Sequence, residues 1–443
     1  MKKIIIEQSN SDLYTAHSGL AIIGALINRH TGLGRRVDLE APGNPSVSHA
    51  DTVKTYLGLL AVGKSDFEAA AGVRHDQWFK EALDVRRVPS AETLRQRFDR
   101  NAAVFQKCVE EGSVEMVKNT DAPITAIKKT GHVPLDMDVF ALDNSKTKKE
   151  GVSRTYQGFD GYAPIAAYLG REGWCVGIEL RPGSQHSQEG FVAFLSGTIE
   201  RARELTQKPL LVRLDSAHDA IGTLAALRGH KKTSFIVKWN PRKSDPIHWR
   251  DRAFAEAREV EEPRPGKKVA VFSARVEREY NGKTYRFRRV MRVTERTFEH
   301  SGQMLLTPRI ELEGWWTSLE LPDERVIALY EDRGLSEQFH SEFKTDLDVE
   351  RLPSGKFATN ALVLACAGFI YNALRIIGQA GLLGKDSPVR HPAKRRRART
   401  VMQELIYLAA RVIHTGRRLK LKFGSHCPGF EAFRGVYARF CPG

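Results

Sequence analysis

Cysteine is scarce in this chain and irregularly placed. Five occur, at positions 108, 175, 366, 427 and 441, with no CxxC pair and no repeated spacing. That pattern excludes a cysteine-based zinc site and a disulfide framework, and it predicts a reducing, cytoplasmic setting. Long apolar runs are missing too. The longest stretch, "ALVLACAGFIYNAL" from Ala361, is too short to span a bilayer and reads as a buried core helix. The N-terminal "MKKIIIEQSNSD" starts positive, but its apolar run is three residues long, which predicts no signal peptide. Acidic residues are the third shortage. The net charge is +16, and from Gly355 onward sixteen Lys or Arg face only three acids, so +13 of the excess lies in the last fifth. So concentrated a basic segment, without a lipidation signal or amphipathic anchor, points to nucleic acid rather than a membrane surface.

The bulk of the composition is that of a soluble globular protein, with 41% hydrophobic and 28% charged residues, and 443 residues suffice for two or three domains. Residues 1–125 read as a helical domain, with apolar positions recurring every three or four residues and Gly or Pro between segments. In "VPSAETLRQRF", Ser90 and Glu92 start a helix that then carries Arg95 and Arg97, serving either a DNA-reading role or a solvated face. From about 126 the period changes. Three strands, a helix, then alternating strand and helix up to 242 is the layout of an α/β layered domain. Residues 243–325 read as strands, including a hairpin turning at Asn281-Gly282. Helical pattern resumes over 326–385, and 386–443 reads as a basic helical tail in which "KRRRAR" is the one charge run.

Carboxylates in or at the ends of apolar strands are costly and need a reason. "VPLDMDVFAL" sets Asp136 and Asp138 on one side of a strand, and "LLVRLDSAH" puts Asp215 at a strand end, where α/β sheets commonly form sites. Read singly, Asp136 serves equally as half of a salt bridge and Asp215 as a helix cap. A third carboxylate lies in "LYEDRGLSEQFHSEFKTDLDVERLPS". Wound as one helix at about 100° per residue, Tyr330, Arg333, Glu337 and Lys344 fall within about 60° of one another. Leu335, Phe339 and Phe343 take the opposite side, so the polar stripe faces either solvent or a cleft shared with Asp138 and Asp215. Converging carboxylates without His or Cys suit Mg²⁺ or Mn²⁺, and two such ions support phosphodiester chemistry, with Tyr330, Arg333 and Lys344 as phosphate contacts.

Tyr, two residues, Arg, three residues, Glu, six residues, Lys is the signature of the DDE transposases of the insertion-sequence 4 superfamily, and it stands here without deviation. With "LDMDVFALDNSKTKKEGVSRTYQGFDGYAPI", "VRLDSAH" and "VPSAETL", the chain resembles that superfamily over most of its length and is most similar to the insertion-sequence 1380 family. The resemblance implies a ribonuclease H-like catalytic core interrupted by the β-rich insertion. It maps the catalytic and metal-binding acids to Asp138, Asp215 and Glu337, with two Mg²⁺ or Mn²⁺ ions. Relatives usually carry small hydroxyl residues just after the first aspartate. Val139 and Phe140 stand there instead, which keeps Asp136 and Asp143 as alternates. It further implies cut-and-paste transposition, by cleavage at terminal inverted repeats and 3′-hydroxyl transfer to target DNA, performed by a homodimer in a bacterial cytoplasm. Trp315 and Trp316, in the insertion, are candidates to stack on a flipped base, although adjacent strand residues point to opposite faces and at least one belongs to a core. The rival readings are a ribonuclease H-like nuclease without strand transfer and a domesticated, catalytically silent DNA-binding protein.

Overall fold

The computed structural model describes residues 4–299, 303–333, 336–416 and 418–441. A nine-stranded mixed sheet runs through the molecule. At its centre Val133–Val139, Leu210–Leu214 and Thr233–Lys238 are parallel neighbours, each buried over three or more consecutive residues. Strands buried at consecutive positions are covered on both faces. Ile165–Leu169 and Trp174–Glu179 extend the sheet antiparallel on one side of Val133–Val139. On the other side Met304–Thr317 pairs antiparallel with Thr233–Lys238 and continues into Lys283–Phe298, Lys267–Tyr280 and Val260–Arg264. The insertion thus prolongs the central sheet rather than forming a separate one.

The hairpin of Lys267–Tyr280 with Lys283–Phe298 closes as its sequence predicts. Tyr280 pairs with Lys283, and Asn281 and Gly282 both take positive φ, at 49° and 70°, the mirror-image turn whose twist matches the strands. One expectation for this region is corrected. Residues Pro246–Glu256 form a helix, not a strand, with the Asp245 side chain accepting from Ile247 N and Pro246 in the first turn. Both are helix-start signals.

Helices cover the sheet. The apolar stretch from Ala361 lies within Phe357–Gly381, a helix long and apolar enough to cross a membrane yet 94% buried over its most apolar window. It packs against Ala91–Asn119 and against the edge strand Trp174–Glu179. Its Asn372 amide clamps that strand, donating to Cys175 O at 2.7 Å and accepting from Cys175 N at 2.9 Å. Both backbone polar groups of Cys175 on that sheet edge are thereby satisfied.

The C-terminal segment is not simply helical. After a short helical piece over Ala398–Ile406 come the strands Ala410–Thr415 and Arg418–Phe423, then the helix Phe430–Phe440. "ARVIHTGRRLKLKF" alternates with period two around Gly416, which has φ of 55°. That is strand patterning, and the basic residues obscured it. Leu13–Thr15 completes a three-stranded sheet with the hairpin, joining the two ends of the chain.

Candidate active site

The stretch expected to wind as one helix is broken. Asp323–Glu331 ends with Asp332 as C-cap, and Arg333 lies in the turn that follows. A second helix, Ser336–Ser341, leads into a wider π-type turn over Glu342–Asp346. Leu335, assigned to the apolar side, lies outside the described residues, whereas Phe339 and Phe343 are buried as expected. The polar residues still converge. Tyr330, Arg333 and Glu337 line a cavity of about 340 Å³ with Asp138, and Glu337 and Lys344 line an adjoining one of about 610 Å³ with Asp138 and Asp215. The junction between the two helices, not a single helical face, brings the four together.

Asp138 and Asp215 meet because their strands are parallel neighbours. Asp136 is in register with Arg213, so two residues further on Asp138 and Asp215 stand side by side at the carboxyl ends. Burial pushes the Asp138 carboxyl up to about 6, the Arg333 guanidinium pulls it back, and the Asp215 charge adds to the rise. Asp215 is pushed up by burial and likewise offset by Arg333. Arg333 Nη2 lies 3.2 Å from Asp138 Oδ2 and 2.8 Å from Met137 O, and its Nη1 donates to the Tyr330 hydroxyl at 3.2 Å. One buried guanidinium thus pairs with Asp138 and offsets part of the charge of both carboxylates. Asp215 Oδ1 is buried without a hydrogen-bond partner. His218 Nε2 is 3.7 Å from it, but burial drives that imidazole down to about 3, so it is neutral at pH 7 and forms no ion pair.

Glu337 borders the same cavity from an exposed position, with no hydrogen bond or ion pair among the described residues. Among the described residues no three His, Cys, Asp or Glu side chains lie close enough together to hold a metal ion. The residues nonetheless suit a hard divalent cation. Asp138 and Asp215 are half-desolvated, mutually repelling oxygen donors, one carrying an orphaned buried oxygen.

The remaining candidates divide clearly. Asp136 sits in a bidentate ion pair with Arg213, at 2.6 and 2.7 Å, and its charge is already used. Asp143 borders neither cavity and accepts from Ser145 N at 2.8 Å; hydrogen bonds from Ser145 hold its carboxyl below the usual range. Trp315 and Trp316 are 1% and 0% exposed, on opposite faces of the sheet. Both rings are packed, and Trp315 also borders the cavity of about 340 Å³ beside Tyr330 and Arg333. Trp316 stacks on the Arg289 guanidinium and donates from Nε1 to Asp219 Oδ1 at 2.9 Å, tying the insertion to the loop after Asp215. Phe140, standing where relatives carry hydroxyls, stacks at 4.5 Å on His340 of the Glu337 helix.

Two features were not read from the sequence. Lys238, Glu313, Tyr156 and Gln157 also line the cavities. Lys238 ends a central parallel strand, so the strand-end rule that singled out Asp215 applies to it equally. The second is the role of "KRRRAR". Arg395 donates to Gln338 at 2.6 Å and lies 4.3 Å over the Phe339 ring. Arg396 donates to the carbonyls of Leu382 and Val389, and Arg397 pairs with the buried Asp346 at 2.7 Å. Glu342, fully buried, takes Arg375 Nη2 at 3.0 Å and Ala398 N at 2.7 Å. The run staples the Glu337 helix to the core helix.

Comparison with known proteins agrees with the residue pattern. No curated protein sequence matches this chain. A piggyBac transposase, solved as a synaptic complex with hairpin DNA, is similar in structure with a TM-score of 0.44 and 10% identity, over 90% of this chain and 82% of that one. A likeness that slight carries nothing about shared chemistry. The family described as transposase DDE domain group 1 matches residues 15–442, nearly the whole chain, and the protein belongs to that family.

Proposed function

We propose that the chain is the transposase of an insertion sequence of the 1380 family, which cuts DNA at its element's terminal inverted repeats and joins the freed 3′-hydroxyl to target DNA. The observation that carries this reading is the meeting of Asp138 and Asp215 at adjacent strand ends, in a cavity that Glu337 also borders. The order Trp174–Glu179, Ile165–Leu169, Val133–Val139, Leu210–Leu214, Thr233–Lys238 supports a ribonuclease H-like core. In this division 126–242 and 326–385 are its two parts, 243–325 the insertion, 1–125 the helical DNA-binding region and 386–443 the basic C-terminal region. Bound Mg²⁺ or Mn²⁺, two ions in this reading, supply the Lewis acidity that activates a water or 3′-hydroxyl and stabilises the leaving oxygen. Asp138, Asp215 and Glu337 are the residues that would hold them. Arg333, Lys344 and the Tyr330 hydroxyl offer donors to the phosphodiester along the cavity wall. A homodimer follows from the need to bring two element ends together, and the cytoplasm is its proposed setting.

The test is a plasmid carrying the element's two ends, incubated with the protein and Mg²⁺ or Mn²⁺. Cleavage at the ends, and joining of pre-cleaved ends to a target, is the expected result. Asp138→Asn, Asp215→Asn and Glu337→Gln should each bind the ends and do neither. Cleavage without joining would favour the simple nuclease; binding with neither reaction in the unaltered protein would favour the silent DNA-binding protein.

A further inference from the structure

The +13 charge of the last fifth separates into two populations. Arg375, Arg395, Arg396 and Arg397 are spent on contacts inside the protein. Arg418, Lys420 and Lys422 are not. They alternate along one strand whose other face, Leu419, Leu421 and Phe423, is turned toward the helix Phe430–Phe440, with the Phe423 ring 5.4 and 5.0 Å from those of Phe430 and Phe433. The three cations therefore point outward, and they are exposed. Register places Arg411 opposite Lys422, Ile413 opposite Lys420 and Thr415 opposite Arg418, with Tyr14 beside Arg411 at 62% exposure. The acid that pairs on this face is Asp12, which takes Arg411 and the Tyr14 hydroxyl. Among the described residues no carboxylate pairs with Arg418, Lys420 or Lys422.

Like charges on one sheet face repel and destabilise the strand that carries them. Three of them at a spacing of about 7 Å, with no internal partner, form an array suited to a row of external anions. We propose that the outer face of the sheet formed by Leu13–Thr15, Ala410–Thr415 and Arg418–Phe423 binds the phosphate backbone of duplex DNA, away from the cleavage cavity and without reading sequence. This rests on the reading of the chain as a DNA-acting enzyme. A membrane surface fits less well. The face offers only half-buried Ile413 and the rim residue Tyr14 as apolar groups, and anchoring at a bilayer needs an apolar side that inserts.

The experiment measures binding of the full chain to two duplexes, one with the element's end and one of unrelated sequence, across a salt series. The variant is Arg418→Gln with Lys420→Gln and Lys422→Gln. The control is Lys128→Gln with Lys208→Gln and Lys231→Gln, exposed lysines near the amino ends of the central parallel strands. Each lost phosphate contact flattens the log–log salt slope by about 0.9, so the variant should lose roughly 2 to 3 from the slope on both duplexes. The control should keep the slope of the unaltered protein. The exposed positions make unfolding a poor explanation, and circular dichroism of the variant checks it. An unchanged slope, or an equal loss in the control, overturns the proposal. So does a variant that loses binding to phosphatidylserine vesicles while its DNA slope is unchanged. If the unaltered protein binds neither duplex, the DNA reading itself falls.

Discussion

Two carboxylates stand two residues apart on one strand, each facing a guanidinium from elsewhere in the fold, and they have opposite fates. Asp136 and Arg213 meet through two hydrogen bonds, with side chains 10% and 4% exposed, and Arg213 also donates to Leu329 O. Asp138 and Arg333 meet through one contact at 3.2 Å, with Asp138 24% exposed toward the cavity. The first pair is closed, and both partners are consumed in holding the sheet to the helix Asp323–Glu331. The second is open, with one guanidinium shared between Asp138, Asp215 and the Tyr330 hydroxyl. Strand position alone does not distinguish a structural acid from a reactive one. What distinguishes them is how fully the partner satisfies the charge.

That contrast can be broken at several points. Asp138→Asn should leave a folded protein whose cation-dependent DNA cleavage falls by roughly a thousand-fold or more, since about 4 kcal/mol of transition-state stabilisation corresponds to that factor. Cleavage close to the unaltered rate would remove Asp138 from the site. Asp136→Asn should act in the opposite sense, through stability. It strands Arg213 in the interior, and breaking a buried pair costs about 3–5 kcal/mol; denaturant unfolding measures it. If the two asparagine variants unfold at the same midpoint, the distinction between the closed and open pairs is wrong.

The pH dependence sharpens the comparison further. Asp138 titrates near 6 in the folded protein, above its unfolded value. Between roughly pH 4 and 6 the native state therefore binds more protons than the unfolded one, and stability falls as pH rises through that window. A shift of this size corresponds to about 3 kcal/mol at most. Unfolding of protein stripped of divalent cations should show the fall, and Asp138→Asn should flatten it. The smallest effect is expected at one of the two arginines, Arg333. Arg213→Met should destabilise by several kcal/mol, whereas Arg333→Met, which leaves Asp138 facing an open cavity, should cost only about 1–2 kcal/mol. Equal losses in thermal unfolding would contradict the difference in closure.

Much of the α/β layout could be read from the residues because each central strand is a short apolar run bounded by turn residues. The Asn281-Gly282 hairpin was legible for a similar reason, since few dipeptides tolerate two positive φ values. The helix Pro246–Glu256 was missed although Asp245 and Pro246 announce it, because the charged residues around it hid its period. The strands over 410–423 were missed because alternating lysines and arginines in a basic segment look like a charged tail unless their period is counted. The candidate site residues stood out by type and spacing, but the one-helix account of Tyr330, Arg333, Glu337 and Lys344 did not hold. The first helix stops at Glu331, Asp332 and Arg333 lie in a turn, and a periodicity argument assumes no turn.

The sequence by itself determined which acids could matter, since a carboxylate in an apolar strand must be either paired or used. It also fixed the spacing of the four polar residues and the excess of positive charge toward the C-terminus. Only the tertiary structure decided among them. Arg213 lies 77 residues from Asp136 and Arg333 lies 195 from Asp138, so which acid is closed and which stays open depends on strand register and helix placement. The same holds for the basic segment. Arg397 finds Asp346 and is spent, while Lys420 and Lys422 find no acid, because partners are assigned by folding and not by local sequence.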